Sequence, residues 1–258
     1  MQISRKQAVV EQGRFLFHNN QAKRRENEVS MKTFQLITVA MATVLCVSLS
    51  GCGSGLREKK IEFVYLALGA SDAIGVGATP LTEGYVFLVK QELDRRMPGV
   101  FLINLGIPGA RIDLIKEQVR VAKQLGTKAH LVTLWTGAND LVHGDDPKTF
   151  RQDLRFILQT LREEVSPHIV IGNLPDLTRL PRFQRAPDPR VTTARVNAYN
   201  EAITQEARDV KAFVVDLFAQ PVREELIFDV DGFHPNDAGH REIARLFLQA
   251  ILAKSGVK

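Results

Sequence analysis

The chain has 258 residues, enough for one large domain or two small ones. Its composition, 45% hydrophobic and 24% charged, is that of an ordinary globular protein. The net charge of +5 sits at the start: residues 1–51 carry seven Lys/Arg against three Asp/Glu, and 27 against 26 remain beyond. A near-neutral body leaves no basic footprint, so nucleic-acid binding is not expected.

Residues 1–30 are polar and contain "KRREN" at Lys23–Asn27. They fit a long cytoplasmic n-region or translation upstream of a start at Met31, and neither bears on the fold. From Met31 the chain reads "MKTFQLITVAMATVLCVSLSGC": one lysine, an apolar stretch, then small residues. Residues 31–51 therefore read as an export signal. Leu49–Cys52, "LSGC", resembles the lipobox of bacterial lipoproteins. That resemblance implies lipidation of Cys52, cleavage before it, and an extracytoplasmic membrane anchor. An uncleaved anchor also fits, because the apolar run is nearly long enough to span a bilayer. A plain secretory signal, with Cys52 incidental, is the third reading. Residues 52–60 then form a short linker and 61–258 the folded domain. Cys46 is the other cysteine, and none follows Gly53, which rules out disulfides and thiolate zinc sites in the body.

In chain order, Ile61–Leu68, "IEFVYLAL", is an almost unbroken apolar run that reads as a strand buried on both faces. Similar runs follow at Val100–Leu105, His130–Trp135, His168–Leu174 and Ala212–Phe218. Helical patterns lie between them. Ile112, Ile115, Val119 and Ala122 share one helical face, and Leu154, Ile157, Leu158 and Leu161 share another. Asp146 and Pro147 suit the N-cap and first position of the second of these helices. Met97–Gly99 and Gly126 are helix stops. Further helices are expected over about Val191–Val210 and Asp237–Ala253. This alternation predicts an α/β fold: a three-layer α/β/α sandwich around a roughly five-stranded parallel sheet. Leu174–Arg190 breaks the pattern with four prolines and four arginines. It is either a solvated loop or a flap on the substrate edge, and its arginines suggest an anionic substrate in the second case.

Small or polar segments follow the strands: "LGASDAIG", "NLGIPGARI" and "WTGANDLVHG", with "DVDGFHPNDAGH" near the C-terminus. A parallel sheet brings such segments to one edge, where α/β proteins bind ligands. These four blocks, in this order over nearly the whole body, resemble the SGNH hydrolases, or GDSL lipase/esterase family. The resemblance implies a flavodoxin-like fold and ester hydrolysis without a cofactor or metal. By it, Ser71 matches the nucleophile, His234 the general base and Asp231 the acid that orients it. Ser71, Gly106 and Asn139 match the oxyanion donors. The residue types suit these roles, since a serine hydroxyl needs a base to remove its proton and an oxyanion needs aimed donors. The first block departs from the family's Gly-Asp-Ser-Leu, reading Gly69-Ala70-Ser71-Asp72. Asp72 either replaces part of the missing carboxylate or faces solvent.

Rival readings are weaker. "GASDAIGVG" has neither phosphate-loop spacing nor the associated lysine. An α/β-hydrolase places its serine deeper in the chain and its acid farther from its histidine. A catalytically inactive, surface-anchored binding lipoprotein on the same scaffold remains the alternative to an enzyme. The expected partner is a small-molecule, lipid or glycan ester, and the expected surface is the membrane that the N-terminal anchor enters.

Overall fold

The computed structural model of the protein describes residues 62–126 and 128–254. The export segment, Cys46, Cys52, the 52–60 linker and Ile61 lie outside them.

Five strands, β1 (Phe63–Gly69), β2 (Val100–Asn104), β3 (Leu131–Trp135), β4 (Ile169–Gly172) and β5 (Phe213–Val215), form one sheet. Every pairing is parallel, and the order is β2-β1-β3-β4-β5. Each run read as a strand is one. The last is shorter than expected because Leu217 and Phe218 turn their N–H groups to Asn173 Oδ1, at 2.6 and 3.0 Å, and leave the ladder.

The helices are α1 (Ser71–Ile74), α2 (Tyr85–Arg96), α3 (Ile112–Gln124), α4 (Ala138–His143), α5 (Pro147–Thr160), α6 (Pro181–Arg185), α7 (Thr193–Asp209) and α8 (Asp237–Lys254). Asp146 caps α5 as expected, accepting from Lys148 N–H at 2.9 Å. Strand β1 shows how the layers assemble. Val64, Leu66 and Leu68 join the core beneath α3, α5 and α7, while Phe63, Tyr65 and Ala67 join the core beneath α2 and α8. With both faces covered, alternation gives way to a continuous apolar run. Glu206 of α7, 1% exposed, ties that helix to α5 through Arg151 and Arg155 at 2.6 and 2.9 Å.

The order of strands reverses between β1 and β3, with β2 on one side and β4 on the other. In an open parallel sheet this switch point opens a crevice at the carboxyl ends of the strands. Ser71 follows β1 and Asn139 follows β3, so both stand at that crevice.

Candidate active site

Strand β1 ends at Gly69, and Ser71 opens the short helix α1. Two backbone groups of Gly69 are fixed by one side chain. Gln118 of α3, 2% exposed, accepts from Gly69 N–H at 3.0 Å and donates to Gly69 C=O at 2.8 Å. Ile107 N–H adds a second bond to the same carbonyl at 3.2 Å. The turn that presents Ser71 is therefore held rigidly from behind. The sequence reading passed over Gln118, although a glutamine three residues after Ile115 falls inside the apolar stripe of α3 and signals a buried polar contact.

His234 reaches Ser71 from the far end of the chain. Its Nε2 lies 2.8 Å from Ser71 Oγ and its Nδ1 2.5 Å from Asp231 Oδ2. The second carboxylate oxygen, Asp231 Oδ1, accepts from Phe233 N–H at 2.8 Å and His234 N–H at 3.0 Å. Burial works against ionisation of Asp231, but the hydrogen bonds from the His234 side chain and from the two backbone N–H groups outweigh it. They hold the carboxyl below its ordinary range. A carboxylate here makes Nδ1 the protonated nitrogen and leaves Nε2 free to accept from Ser71.

The loop carrying this pair is braced on both sides. Phe228 N–H donates to His234 C=O at 2.8 Å, and Arg182 N–H donates to Gly232 C=O at 2.9 Å. Arg182 belongs to the proline-rich stretch 174–190. That stretch is not a purely solvated loop: it forms α6 and buries Leu177, Leu180 and Phe183. Phe183 meets Phe233 edge-on at 6.1 Å, and the Arg182 guanidinium lies 5.7 Å from the Phe233 ring centroid. Arg185 and Arg190 pair with Glu224 and Asp188 at 2.7 Å each. Three of the four arginines thus have partners within the protein.

The expected oxyanion donors divide. Ser71 N–H has no acceptor among the described residues. Asn139 Nδ2 donates one hydrogen to Ala110 C=O at 2.9 Å and has a second to offer. Gly106 departs from expectation, because its single N–H is taken by Asn104 Oδ1 at 3.0 Å. The close approach that a glycine permits is used against the protein instead: a Cβ at position 106 would lie 2.8 Å from the Ala73 Cβ. Asn104 Nδ2 donates to Ala73 C=O at 2.6 Å, completing the attachment of this loop to α1. Three residues on, Gly109 adopts φ 74°, and its N–H has no acceptor among the described residues. It stands beside Ala110, the residue that Asn139 holds.

Asp140, next to Asn139, is fully buried and accepts from Ile112 N–H at 2.8 Å, capping α3 from another element. Burial raises its pKa to about 6. Together Asn139 and Asp140 clasp the 106–112 loop to α4. His240 is a core residue: it is fully buried, its Nδ1 accepts from Tyr85 N–H at 3.2 Å, and its Nε2 donates to Val76 C=O at 3.0 Å. Among the described residues, no cluster of three or more His, Cys, Asp or Glu is placed to hold a metal ion.

The GDSL-like lipase/acylhydrolase family model matches residues 67–242. No curated protein sequence matches the chain. Solved structures similar to it include a psychrotrophic esterase from Pseudoalteromonas sp., at 19% identity and TM-score 0.60, covering 74% of this chain and 97% of that one. A lipase/acylhydrolase from Enterococcus faecalis matches at 19% identity and TM-score 0.60, over 74% and 96% of the two chains. An acetylxylan esterase from Geobacillus stearothermophilus matches at 22% identity and TM-score 0.58, over 75% and 95%. At these identities the likeness establishes the fold.

Proposed function

The chain belongs to the GDSL-like lipase/acylhydrolase family, and on that premise we propose that it hydrolyses carboxylic esters through a covalent acyl-serine intermediate at Ser71. The observation that carries this reading is the unbroken line from Ser71 Oγ through His234 to Asp231, at 2.8 and 2.5 Å. Ser71 Oγ attacks the ester carbonyl carbon while His234 Nε2 takes its proton. The carbonyl oxygen becomes an oxyanion, met by Ser71 N–H and the second Asn139 N–H. Gly106 N–H, the third expected donor, is committed to Asn104 Oδ1 at 3.0 Å. The intermediate collapses as His234 returns the proton to the departing alcohol, leaving the acyl group on Ser71. Water then attacks the acyl-serine with His234 again as base, releasing the acid and restoring Ser71. Asp231 stabilises the imidazolium in both halves of the reaction.

The test is hydrolysis of a chromogenic ester, with Ser71→Ala as control. A burst of acyl-enzyme followed by steady turnover, both absent in the variant, supports the reading. Turnover that survives in a folded Ser71→Ala protein overturns it, and an inert wild type points to a binding protein on the same scaffold.

For location, we propose an extracytoplasmic protein anchored through a lipid on Cys52. The support is the charge, apolar run and "LSGC" of residues 31–52. Cys52→Ser should move the protein out of the membrane fraction, and unchanged attachment defeats the lipid anchor. No helix among the described residues is long and apolar enough to cross a membrane.

A further inference from the structure

Behind α1 lies a second feature that the triad does not use. A cavity of about 120 Å³ is walled by apolar side chains from four segments, among them Leu177, Leu180, Leu217, Leu226, Ile243 and Leu246. Its throat is formed by Asp72, Trp135, Ala138 and Phe233. These four residues also line a small recess of about 10 Å³ that is bounded by Ala110 and Asn139. The two spaces thus share a wall, and two residues of that wall, Asp72 and Phe233, are the chain neighbours of Ser71 and His234.

We propose that this chamber holds the acyl chain of the substrate and sets its length at about four to six carbons. The proposal deepens the serine-esterase reading and rests on it. The alcohol has to depart past His234 before water enters, and the 18% exposed His234 side chain marks the solvent side. A chamber behind Asp72, apolar within and bordered by Gln220, Arg223 and Glu242, suits the part of the substrate that stays bonded to Ser71. Its lining offers burial but few hydrogen bonds, which fits an alkyl chain better than a sugar. Its size sets the limit, since a cavity of about 150 Å³ lined by Leu, Ile and Phe accommodates six-carbon benzene. An acetyl group would leave the chamber unfilled, and a long fatty-acyl chain would exceed it.

Asp72 bears on how well the chamber is used. Its carboxyl stands at the throat with no hydrogen-bonding side chain among the described residues, and burial pushes its pKa up against the pull of His234 and His240. A charged Asp72 would oppose an alkyl chain beside it, and a neutral one would tolerate it. The residue that interrupts the family's first block is therefore also a specificity-determining residue, and Asp72→Leu should favour longer chains.

The experiment is a series of p-nitrophenyl esters from acetate to palmitate, read as kcat/KM. Burial of the chain should raise kcat/KM by about fourfold per added methylene up to hexanoate, with no gain beyond octanoate. A parallel series of alkyl acetates, which lengthens the alcohol instead, should show no such rise. Leu246→Trp and Leu177→Phe, each filling the chamber from a different wall, should lower the hexanoate-to-acetate ratio at least fivefold. Asp72→Leu should raise it. The ratio is internal to each protein, so partial misfolding cannot mimic the result. Preference for acetate, a rise that continues to palmitate, a gain on the alcohol series, or an unchanged ratio in both filling variants each overturns the inference. Inactivity on every ester fails the esterase reading instead, and so is distinguishable.

Discussion

Replacing Asp231 by Asn separates the charge of that residue from its shape. An asparagine must put its amide nitrogen on one of two edges. At the Oδ1 position it would confront the N–H groups of Phe233 and His234, now bonded at 2.8 and 3.0 Å. That would forfeit two hydrogen bonds of about 0.5–1.5 kcal/mol each, and set donors against a donor. The nitrogen therefore takes the Oδ2 position and donates to His234 Nδ1. The imidazole proton is then driven to Nε2, which faces Ser71 Oγ at 2.8 Å. In that tautomer His234 has no lone pair for the serine proton. The expected loss in kcat is about 10³–10⁴-fold, or about 4–5 kcal/mol of transition-state stabilisation. The loss should fall on kcat with KM little changed, because the substrate touches neither edge of residue 231. Steady-state kinetics on a chromogenic ester, with thermal unfolding to establish that the variant is folded, measures both. A folded Asp231→Asn enzyme with kcat within tenfold of wild type refutes the tautomer argument.

Asn139→Ala removes the proposed oxyanion donor and should lower kcat by about 10²–10³-fold; a folded variant with wild-type kcat removes Asn139 from that role. Asp140 is raised to about 6 by burial, so the fold favours its neutral form. Its penalty is absent below the ordinary carboxylate range, grows as pH rises from about 4 to 6, and is complete above, reaching about 3 kcal/mol. Urea unfolding at pH 4 and pH 7 should therefore show Asp140→Asn gaining on wild type by about that amount as pH rises, and parallel pH slopes would contradict it. Gln118→Leu strands the Gly69 N–H, while Gly69 C=O keeps its bond from Ile107 N–H, and should cost about 1–3 kcal/mol in stability for the one buried unpaired group. A loss under about 0.5 kcal/mol on the same measurement would mean that the N–H finds another partner.

What the sequence made legible follows from what strands and spacing transmit. A doubly buried strand announces itself by composition, and the segment after it lands on the carboxyl edge whatever its other contacts. Ser71 and Asn139 could be placed at that edge for that reason, and the resemblance to the SGNH hydrolases supplied the expected roles of both and of the Asp231–His234 pair. Gly106 could not be settled that way. Gly106 and Gly109 share one loop, and which N–H stays open depends on Asn104 turning its carbonyl oxygen to the first of them. That choice belongs to a side-chain rotamer and leaves no trace in spacing. The partner of Arg185 is hidden for a similar cause, because Glu224 lies 39 residues away and meets it only in the folded chain. The apolar chamber is less visible still, since its walls come from residues as far apart as Asp72 and Leu246.

The break in the first block can now be given a physical account. Ala70 is 6% exposed and belongs to the core beneath α3 and α5. A carboxylate at position 70 would be buried in apolar surroundings, and alanine avoids that cost. The turn loses no support thereby, because Gln118 and Ile107 already hold Gly69 from behind. Asp72 neither replaces the missing group nor faces open solvent. It lines the throat of the apolar chamber, half-buried, while Asp231 supplies the charge that His234 needs. The turn that carries Ser71 is thus held by the neutral amide of Gln118, and the carboxylate of Asp72 is left at the wall of the proposed acyl chamber. A double variant, Ala70→Asp with Asp72→Leu, restores the family's block. Ala70 and Asp72 both line the recess beside Asn139, so the two changes should couple, and the hexanoate-to-acetate ratio should fall at least about twofold below that of Asp72→Leu. An equal ratio would mean that position 70 does not reach the substrate.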